Sequence, residues 1–254
     1  MQPKYKHLNV CRRRSNKHIV FFTGAGISAE SGMPIYRGDN GIYNNESSQL
    51  SVGKFYEDPQ TVLALVNEYR YACLEAEPNH AHRMIAELEK WADVSVITQN
   101  VDNLHERAGS TNVIHLHGEL TKVTSSDNRL SLDCIQTYPL GKPIKLGDKA
   151  ADGSQLRPYI TMFGEFLTEQ DKVAGIIKSA DIFVIIGTSL QVFPASTLIQ
   201  KVNADIPRYI IDPNTILDDY TIIKDVATKG IDILIDYLRR DITNSKPIFT
   251  ATIY

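Results

Sequence analysis

The chain has 254 residues, 43% of them hydrophobic, with 27 basic against 30 acidic residues and a net charge of -3. That length allows one large domain or two modest ones, the balanced charge gives no global argument for nucleic acid, and no apolar run approaches the roughly 18 residues that span a bilayer. Cys11, Cys73 and Cys134 are too widely spaced for a disulfide framework, and the N-terminus lacks a signal-peptide core, so a reducing, cytoplasmic home is expected.

Lys4, Lys6, Arg12, Arg13, Arg14 and Lys17 precede the first strand with no acid among them, a pattern of a solvated flank or a contact for an acidic partner. Ile19-Val20-Phe21-Phe22 then reads as a buried strand. Gly24, Gly26 and Ala29 after it fit the G-x-G-x-x-G/A dinucleotide fingerprint, in which backbone N–H groups approach a pyrophosphate. The same glycines also fit plain punctuation between strand and helix. The acidic residue expected roughly 20 positions later is missing, because YRGDNGIYNNES reads as loop.

Further apolar runs at Val94-Ile97, Val113-Leu116, Tyr159-Phe163, Ile182-Ile186 and Tyr209-Ile211 predict short buried strands. Helical patterns lie between several of them. One spans Asp58 to Glu75 with Val62, Leu65, Val66, Tyr69 and Cys73 on one side; another begins at the N-cap Asn79, with Met84, Ile85, Leu88 and Trp91 on one face. Ile231, Leu234, Ile235 and Leu238 predict a closing helix ending at Arg239-Arg240. Alternating strands and helices imply an α/β fold with a parallel sheet. Tyr36 to Gln60 and Glu119 to Arg157 break the rhythm and are too long for plain loops, so each is expected to build an inserted module or a substrate loop.

Polar residues follow several strands, where open α/β sheets bind ligands. They are Thr98-Gln99-Asn100-Val101-Asp102-Asn103-Leu104-His105, His117-Gly118 and Gly187-Thr188-Ser189, joined by Ser28 and Arg37. Amides, hydroxyls, an Arg, carboxylates and a His suit a ribose and diphosphate ligand beside acid–base chemistry. A strand-end His also serves as a structural hydrogen-bonder. His115 and His117 share a strand face by the two-residue period, yet no third metal ligand is signalled. Neither Ser28 nor Ser189 stands in a G-x-S-x-G elbow.

Taken together, GAGISAESGMPIYR, TQNVDNLHERAG, HLHGEL, MFGE and GTSLQVFPAS resemble the sirtuin family of NAD-dependent protein lysine deacylases, most closely its bacterial members. The resemblance implies a Rossmann-like large part, about 15–35, 79–118 and 158–254, carrying a small part built from 36–78 and 119–157, all within one catalytic domain over 1–254. NAD is the implied cofactor, and an acyl-lysine protein or peptide the implied partner, with no membrane or nucleic-acid site and a monomer compatible. It places Gly24, Ala25, Gly26, Ile27 and Glu30 at the diphosphate and ribose, with Tyr36 and Arg37 over the cofactor. Gln99, Asn100 and Asp102 become nicotinamide and ribose contacts, with Ile27 and Asp102 nearest the amide. Gly187, Thr188, Ser189, Asp212 and Ala227 would hold the adenosine half, and His117 would be the general base. Phe163, Gly164, Glu165, Val192 and Phe193 would flank the peptide as an added strand. In the implied reaction nicotinamide leaves, the acyl group passes to ADP-ribose, and lysine is freed. The same blocks occur in relatives that cleave NAD as glycohydrolases or mono-ADP-ribosyltransferases, and an idle NAD-sensing or peptide-binding module is a third reading.

Four features depart from patterns found in the family. Sirtuins commonly bind zinc through two cysteine pairs between the HG and FGE blocks, but only Cys134 lies there, and Ser125 stands where the first Cys would fall. A single thiolate cannot close a tetrahedral site, so no metal is expected, with Leu130, Leu132, Ile135, Tyr138, Leu140 and Ile144 holding the small module instead. Members that take acidic acyl groups carry a Tyr-x-x-Arg pair; here those positions are Val66 and Tyr69, with Arg70 one residue off and turned elsewhere. That favours acetyl or another neutral acyl group. Asp212 replaces the family's usual Asn, and Tyr36 its usual Phe.

Overall fold

The structure, a computed structural model, describes residues 17–34, 49–167, 169–188, 190, 195–215, 217 and 219–243. Six strands form one parallel sheet: β1 (His18–Thr23), β2 (Asp93–Thr98), β3 (Val113–His115), β7 (Ile182–Ile186), β8 (Arg208–Ile211) and β9 (Thr221–Ile223). A second sheet is antiparallel, with β4 (Gly118–Ser125) between β5 (Gln136–Thr137) and β6 (Leu156–Ile160).

The alternation along β1 explains the layers. Ile19 and Phe21 pack on one face against α3 (His80–Leu88) and α7 (Ala227–Thr243), through Ala81, Ile85, Leu88, Ile231, Leu234 and Leu238. Val20 and Phe22 pack on the other against α5 (Gln170–Lys178) and α6 (Ala195–Leu198), through Val173, Ile177 and Leu198. A sheet buried on both faces needs apolar residues at every position, which is why these strands read as continuous runs.

The strand order is β3-β2-β1-β7-β8-β9, so the chain winds outward from β1 toward β3 and from β7 toward β9. The β1/β7 boundary is therefore the topological switch point, where loops leaving the strand ends diverge and open a crevice. Here they also touch. Gly24 N–H donates to Ile186 O (3.0 Å) and Gly26 N–H to Gly187 O (2.8 Å). A Cβ on Gly26 would lie 2.6 Å from the Gly187 Cα, and one on Gly187, at φ +63°, 2.5 Å from the Ile27 nitrogen. The glycines thus serve loop-to-loop contact, and the N–H groups of Gly24 and Gly26 are spent on β7 rather than offered to a pyrophosphate.

Beside the large sheet, α1 (Val52–Glu57) and α2 (Pro59–Glu75) pack on the antiparallel sheet around Phe55, Val62, Leu63, Val66, Leu120, Val123, Leu156 and Ile160. Asp58 caps α2 by accepting from Thr61 N–H, with Pro59 at its first position. Arg70, fully buried on α2, donates to the carbonyls of Leu120, Tyr138, Pro139 and Lys142, tying the helix to this sheet. At the far end, Ser125 Oγ donates to Asp152 Oδ2 (2.6 Å) and accepts from the N–H groups of Asp127 and Asn128.

Four sequence expectations are corrected. The run Tyr159–Phe163 is not a strand of the parallel sheet: the strand is β6, Leu156–Ile160, paired antiparallel with β4, because the chain turns off after Ile160. The run Val113–Leu116 yields a strand only to His115, since Leu116 opens the turn into β4. The closing helix runs past Arg239-Arg240 to Thr243. Leu130 and Leu132 are exposed and do not hold the small module, whose core comes from α2, β4 and β6 together with Tyr138 and Ile144.

Two substitutions test these contacts. Gly187→Ala forces a Cβ into the Ile27 backbone at a left-handed φ and is expected to cost about 3 kcal/mol or more of unfolding free energy, read by denaturant titration. Arg70→Ala strands several carbonyls and is expected to cost about 3 kcal/mol in the same measurement.

Candidate functional site

The crevice at the switch point gathers the polar residues that follow β1, β2, β3, β7 and β8. After β1 the chain makes two 3-10 turns, Ala25–Ile27 and Ala29–Ser31, rather than an ordinary helix, and Gly32 closes them at φ +88°. Asn79, the N-cap of α3, holds them from below: its Nδ2 donates to Ile27 O (2.7 Å) and Ser31 Oγ (3.0 Å) while its Oδ1 accepts from Ala81 N–H. His82 completes the capping box and reaches Ser28 Oγ at 3.4 Å. These supporting roles of Asn79 and His82 were not read from the sequence, where Asn79 signals only a helix start.

After β2 the chain turns sharply. Gln99 N–H donates to Thr23 O, its Nε2 donates to Thr188 Oγ1 (3.0 Å), and so the ends of β1, β2 and β7 are joined. Asn100 is buried, donating from Nδ2 to Gly24 O and Ser28 Oγ, both at 3.1 Å. Its Oδ1 is buried without a hydrogen-bond partner. A buried orphan acceptor costs of order 1–3 kcal/mol and marks a place where a bound ligand would donate. Asp102 is also buried; burial pushes its carboxyl up, against the opposing bonds from Leu104 N–H and Ser28.

His117 lies in the turn between β3 and β4. Its Nδ1 is 2.8 Å from Gln99 O, an acceptor only, so Nδ1 carries the proton and Nε2 keeps its lone pair in the neutral ring. Burial pushes its pKa below the usual histidine value, partly opposed by that carbonyl. The result is a neutral imidazole with a fixed tautomer, the form a general base requires. Gly118, at φ +79°, makes the turn possible, since a Cβ there would collide with Tyr159 O.

On the other side Gly187 N–H donates to Ile211 O and Leu190 N–H to Thr188 Oγ1. Asp212 follows β8, its Oδ1 accepting from Asn214 N–H (2.8 Å), and burial pushes its carboxyl up. Glu30 accepts from Thr228 Oγ1 (2.6 Å) and N–H (3.1 Å), so it caps the first turn of α7 beside the buried Ala227. Gly24, Ala25, Gly26, Ile27, Gln99, Asn100, Asp102, His117, Gly187 and Thr188 thus come together, with Asp212, Glu30 and Ala227 at the β8 and α7 side. Tyr36, Arg37, Ser189, Val192 and Phe193 lie outside the described residues.

The FGE segment is placed differently from a free edge. Phe163 N–H donates to Leu50 O (3.0 Å) and its carbonyl accepts from Val52 N–H (2.9 Å), so one side is already paired. Gly164 sits at φ +92° against Val52. The Glu165 carboxylate turns inward, accepting from both Nη atoms of the buried Arg157 (2.7 and 3.1 Å) and from Met162 N–H (2.7 Å). Glu165 therefore anchors the segment, and only Phe163, half-exposed, presents its side chain outward. Arg157 could not be found from sequence, because nothing local marks a buried Arg.

The model of the Sir2 family matches residues 24–194 of the chain. An NAD-dependent protein deacylase of Bacteroides thetaiotaomicron is 44% identical over 224 residues, which cover 85% of this chain and 95% of that protein. One from Helicobacter pylori is 44% identical over 200 residues, covering 78% and 85%. Among solved structures, a Sir2 homolog–NAD complex superimposes with TM-score 0.76 at 34% identity over 89% of this chain and 91% of that one. A Sir2–p53 peptide–NAD+ structure gives 0.70 at 28% identity over 87% and 93%. With the glycine interlock, the Asn100 turn and the neutral His117 set at one switch point, and with these likenesses running nearly end to end, the chain belongs to the Sir2 family.

Proposed function

We propose that this chain removes an acyl group from protein lysine in an NAD-dependent reaction that yields nicotinamide and O-acyl-ADP-ribose. The observation that carries this is the neutral His117, held in the tautomer of a base by Gln99 O, the residue next to Asn100 with its orphan Oδ1. The residues fit NAD: a crevice at the switch point, the unpaired buried acceptor Asn100 Oδ1, and hydroxyl and carboxylate groups along the strand ends. Bound there, NAD supplies a ribose carbon that gives up nicotinamide and a ribose hydroxyl that takes the acyl group.

The chain's own residues orient and deprotonate. Asn100 and Asp102 accept from the nicotinamide and ribose side, Thr188 and Gly187 line the adenosine side, and His117 Nε2 takes the hydroxyl proton. We assign the acyl group as small and neutral. Val66 is buried among apolar neighbours, and the nearby guanidinium of Arg70 is committed to carbonyls, so it offers no charge to an acidic acyl chain. We also read the small antiparallel sheet, with α1 and α2, as the family's small module, with its second boundary after β6.

A zinc ion does not fit that module. Among the described residues the module's free thiols are Cys134 and, on α2, Cys73, both buried; no group of three His, Cys, Asp or Glu side chains converges, and the Ser125 hydroxyl is committed to Asp152 and two backbone N–H groups. We propose that this hydrogen-bonded knot does the work of a metal in closing the module's end.

Mixing protein, NAD and an acetyl-lysine peptide should give nicotinamide and O-acetyl-ADP-ribose in equal amounts by mass spectrometry. Equal nicotinamide without peptide would show a glycohydrolase instead. His117→Ala is expected to lower kcat about 10²- to 10⁴-fold. Because the His117 pKa is lowered, the base is already neutral at pH 7; the rate should fall only as pH drops below the usual histidine value of about 6.5. Metal analysis of the purified protein should find less than one zinc per ten chains, and one per chain would contradict the metal-free module.

A further inference from the structure

His115 and His117 stand two residues apart and grip consecutive carbonyls of one turn, but in opposite protonation states. His117 Nδ1 meets Gln99 O, and no second acceptor faces its ring among the described residues. His115 Nδ1 meets Asn100 O at 2.9 Å while its Nε2 meets Glu106 Oε1 at 2.7 Å. A carbonyl and a carboxylate both only accept, and a neutral imidazole has a single N–H. Both bonds form only if the His115 ring carries two protons.

We propose that His115, held as an imidazolium by Glu106 of α4 (Leu104–Ala108), is a positioning residue that fixes the turn formed by residues 99–102 for NAD cleavage. This rests on the reading of Asn100 and Asp102 as contacts of NAD. The His115 side chain is 7% exposed and that of Glu106 40%, so a charge-assisted bond joins a largely buried ring to a carboxylate at the edge of the site. The ring's bond to Asn100 O fixes the residue whose N–H donates to Thr98 Oγ1 and whose side chain reaches Gly24 O and Ser28 Oγ. A misplaced carbonyl would swing the orphan Asn100 Oδ1 away from any ligand donor.

The charge has a second effect. Asp102 is buried, which favours its neutral form, and the His115 cation is one of the groups that counter this. The titratable groups around the ring are Glu106 and His105 on α4, Asp102 in the turn, and Glu119 on β4, with Lys122 acting on Glu106. Burial alone would lower the His115 pKa, but the bond and charge of Glu106, the Asn100 carbonyl and Glu119 outweigh it and raise it. Burial likewise pushes Glu106 up, and the bond and charge of His115 bring it below its usual range. One strand end therefore presents a base and a cation side by side, separated in protonation by a single carboxylate.

Glu106→Gln keeps the shape of the half-exposed Glu106 and removes its charge. Ring-nitrogen NMR should find His115 doubly protonated at pH 7 in the native protein, with its midpoint about one pH unit lower in E106Q. The alkaline limb of kcat/KM for NAD should move down by the same amount, while the acid limb set by His117 and the KM for peptide stay in place. In His115→Gln, which keeps one donor for Asn100 O but cannot titrate, that alkaline limb should disappear. A singly protonated His115 at pH 7, or superimposable pH profiles of the native protein and E106Q, would overturn the proposal. A native protein that releases no nicotinamide at any pH would sink the deacylase reading instead, and the NMR midpoint, which needs no turnover, would still decide the clamp.

Discussion

The contact between the loops after β1 and β7 is the constraint on which the site depends. Two loops leaving adjacent parallel strands at a switch point ordinarily diverge, and the crevice between them holds the ligand. In this chain Gly24 and Gly26 press against Gly187 and Thr188 with distances that no side chain could occupy. The base of the crevice is therefore closed by these two loops. Its shape comes from backbone meeting backbone, which keeps the floor rigid without using any polar side chain that a ligand would need.

Everything above that floor is held by side chains that bond backward into the scaffold. Asn79 and His82 support the 3-10 turns from α3, Gln99 bridges to Thr188, and Glu30 fastens the same turns to the start of α7. His82 packs edge-to-face on His105, ring centroids 4.9 Å apart, and burial holds the His82 pKa down to about 4, so this pair stays neutral behind the site. The consequence is a set of aimed groups with little freedom, which is what orientation and charge stabilisation in a reaction require.

The large sheet was legible because strands buried on both faces must be apolar throughout, and five of its six stand out as runs in the sequence. The sixth, Thr221–Ile223, has only three residues at the sheet edge and leaves no such run. The small sheet was illegible for a different reason. β4 is interrupted by a register shift between Glu119 and Val123, β5 is only two exposed residues, and β6 carries Pro158, so neither period nor composition marks the sheet. Exposed Leu130 and Leu132 misled in the same way, since hydrophobic character does not by itself place a residue inside. Of the site, the strand-end polar clusters carried the signal. What sequence could not supply was direction: that Glu165 turns inward to Arg157, and that the fingerprint N–H groups of Gly24 and Gly26 face β7.

Direction also separates the two histidines. By spacing alone His115 and His117 are equivalent, a strand-end pair suited to a metal or to catalysis. Their backbone partners are equivalent too, consecutive carbonyls of one turn. The difference lies with α4, a helix of five residues that the sequence pattern does not announce, which brings Glu106 to one ring and nothing to the other. Protonation follows the number of acceptors a ring meets, and function follows protonation. A ring with one acceptor keeps a lone pair and can take a proton; a ring with two is a fixed cation that can only hold. The short helix after the QN-x-D turn thus assigns the roles, and the turn itself is gripped by both.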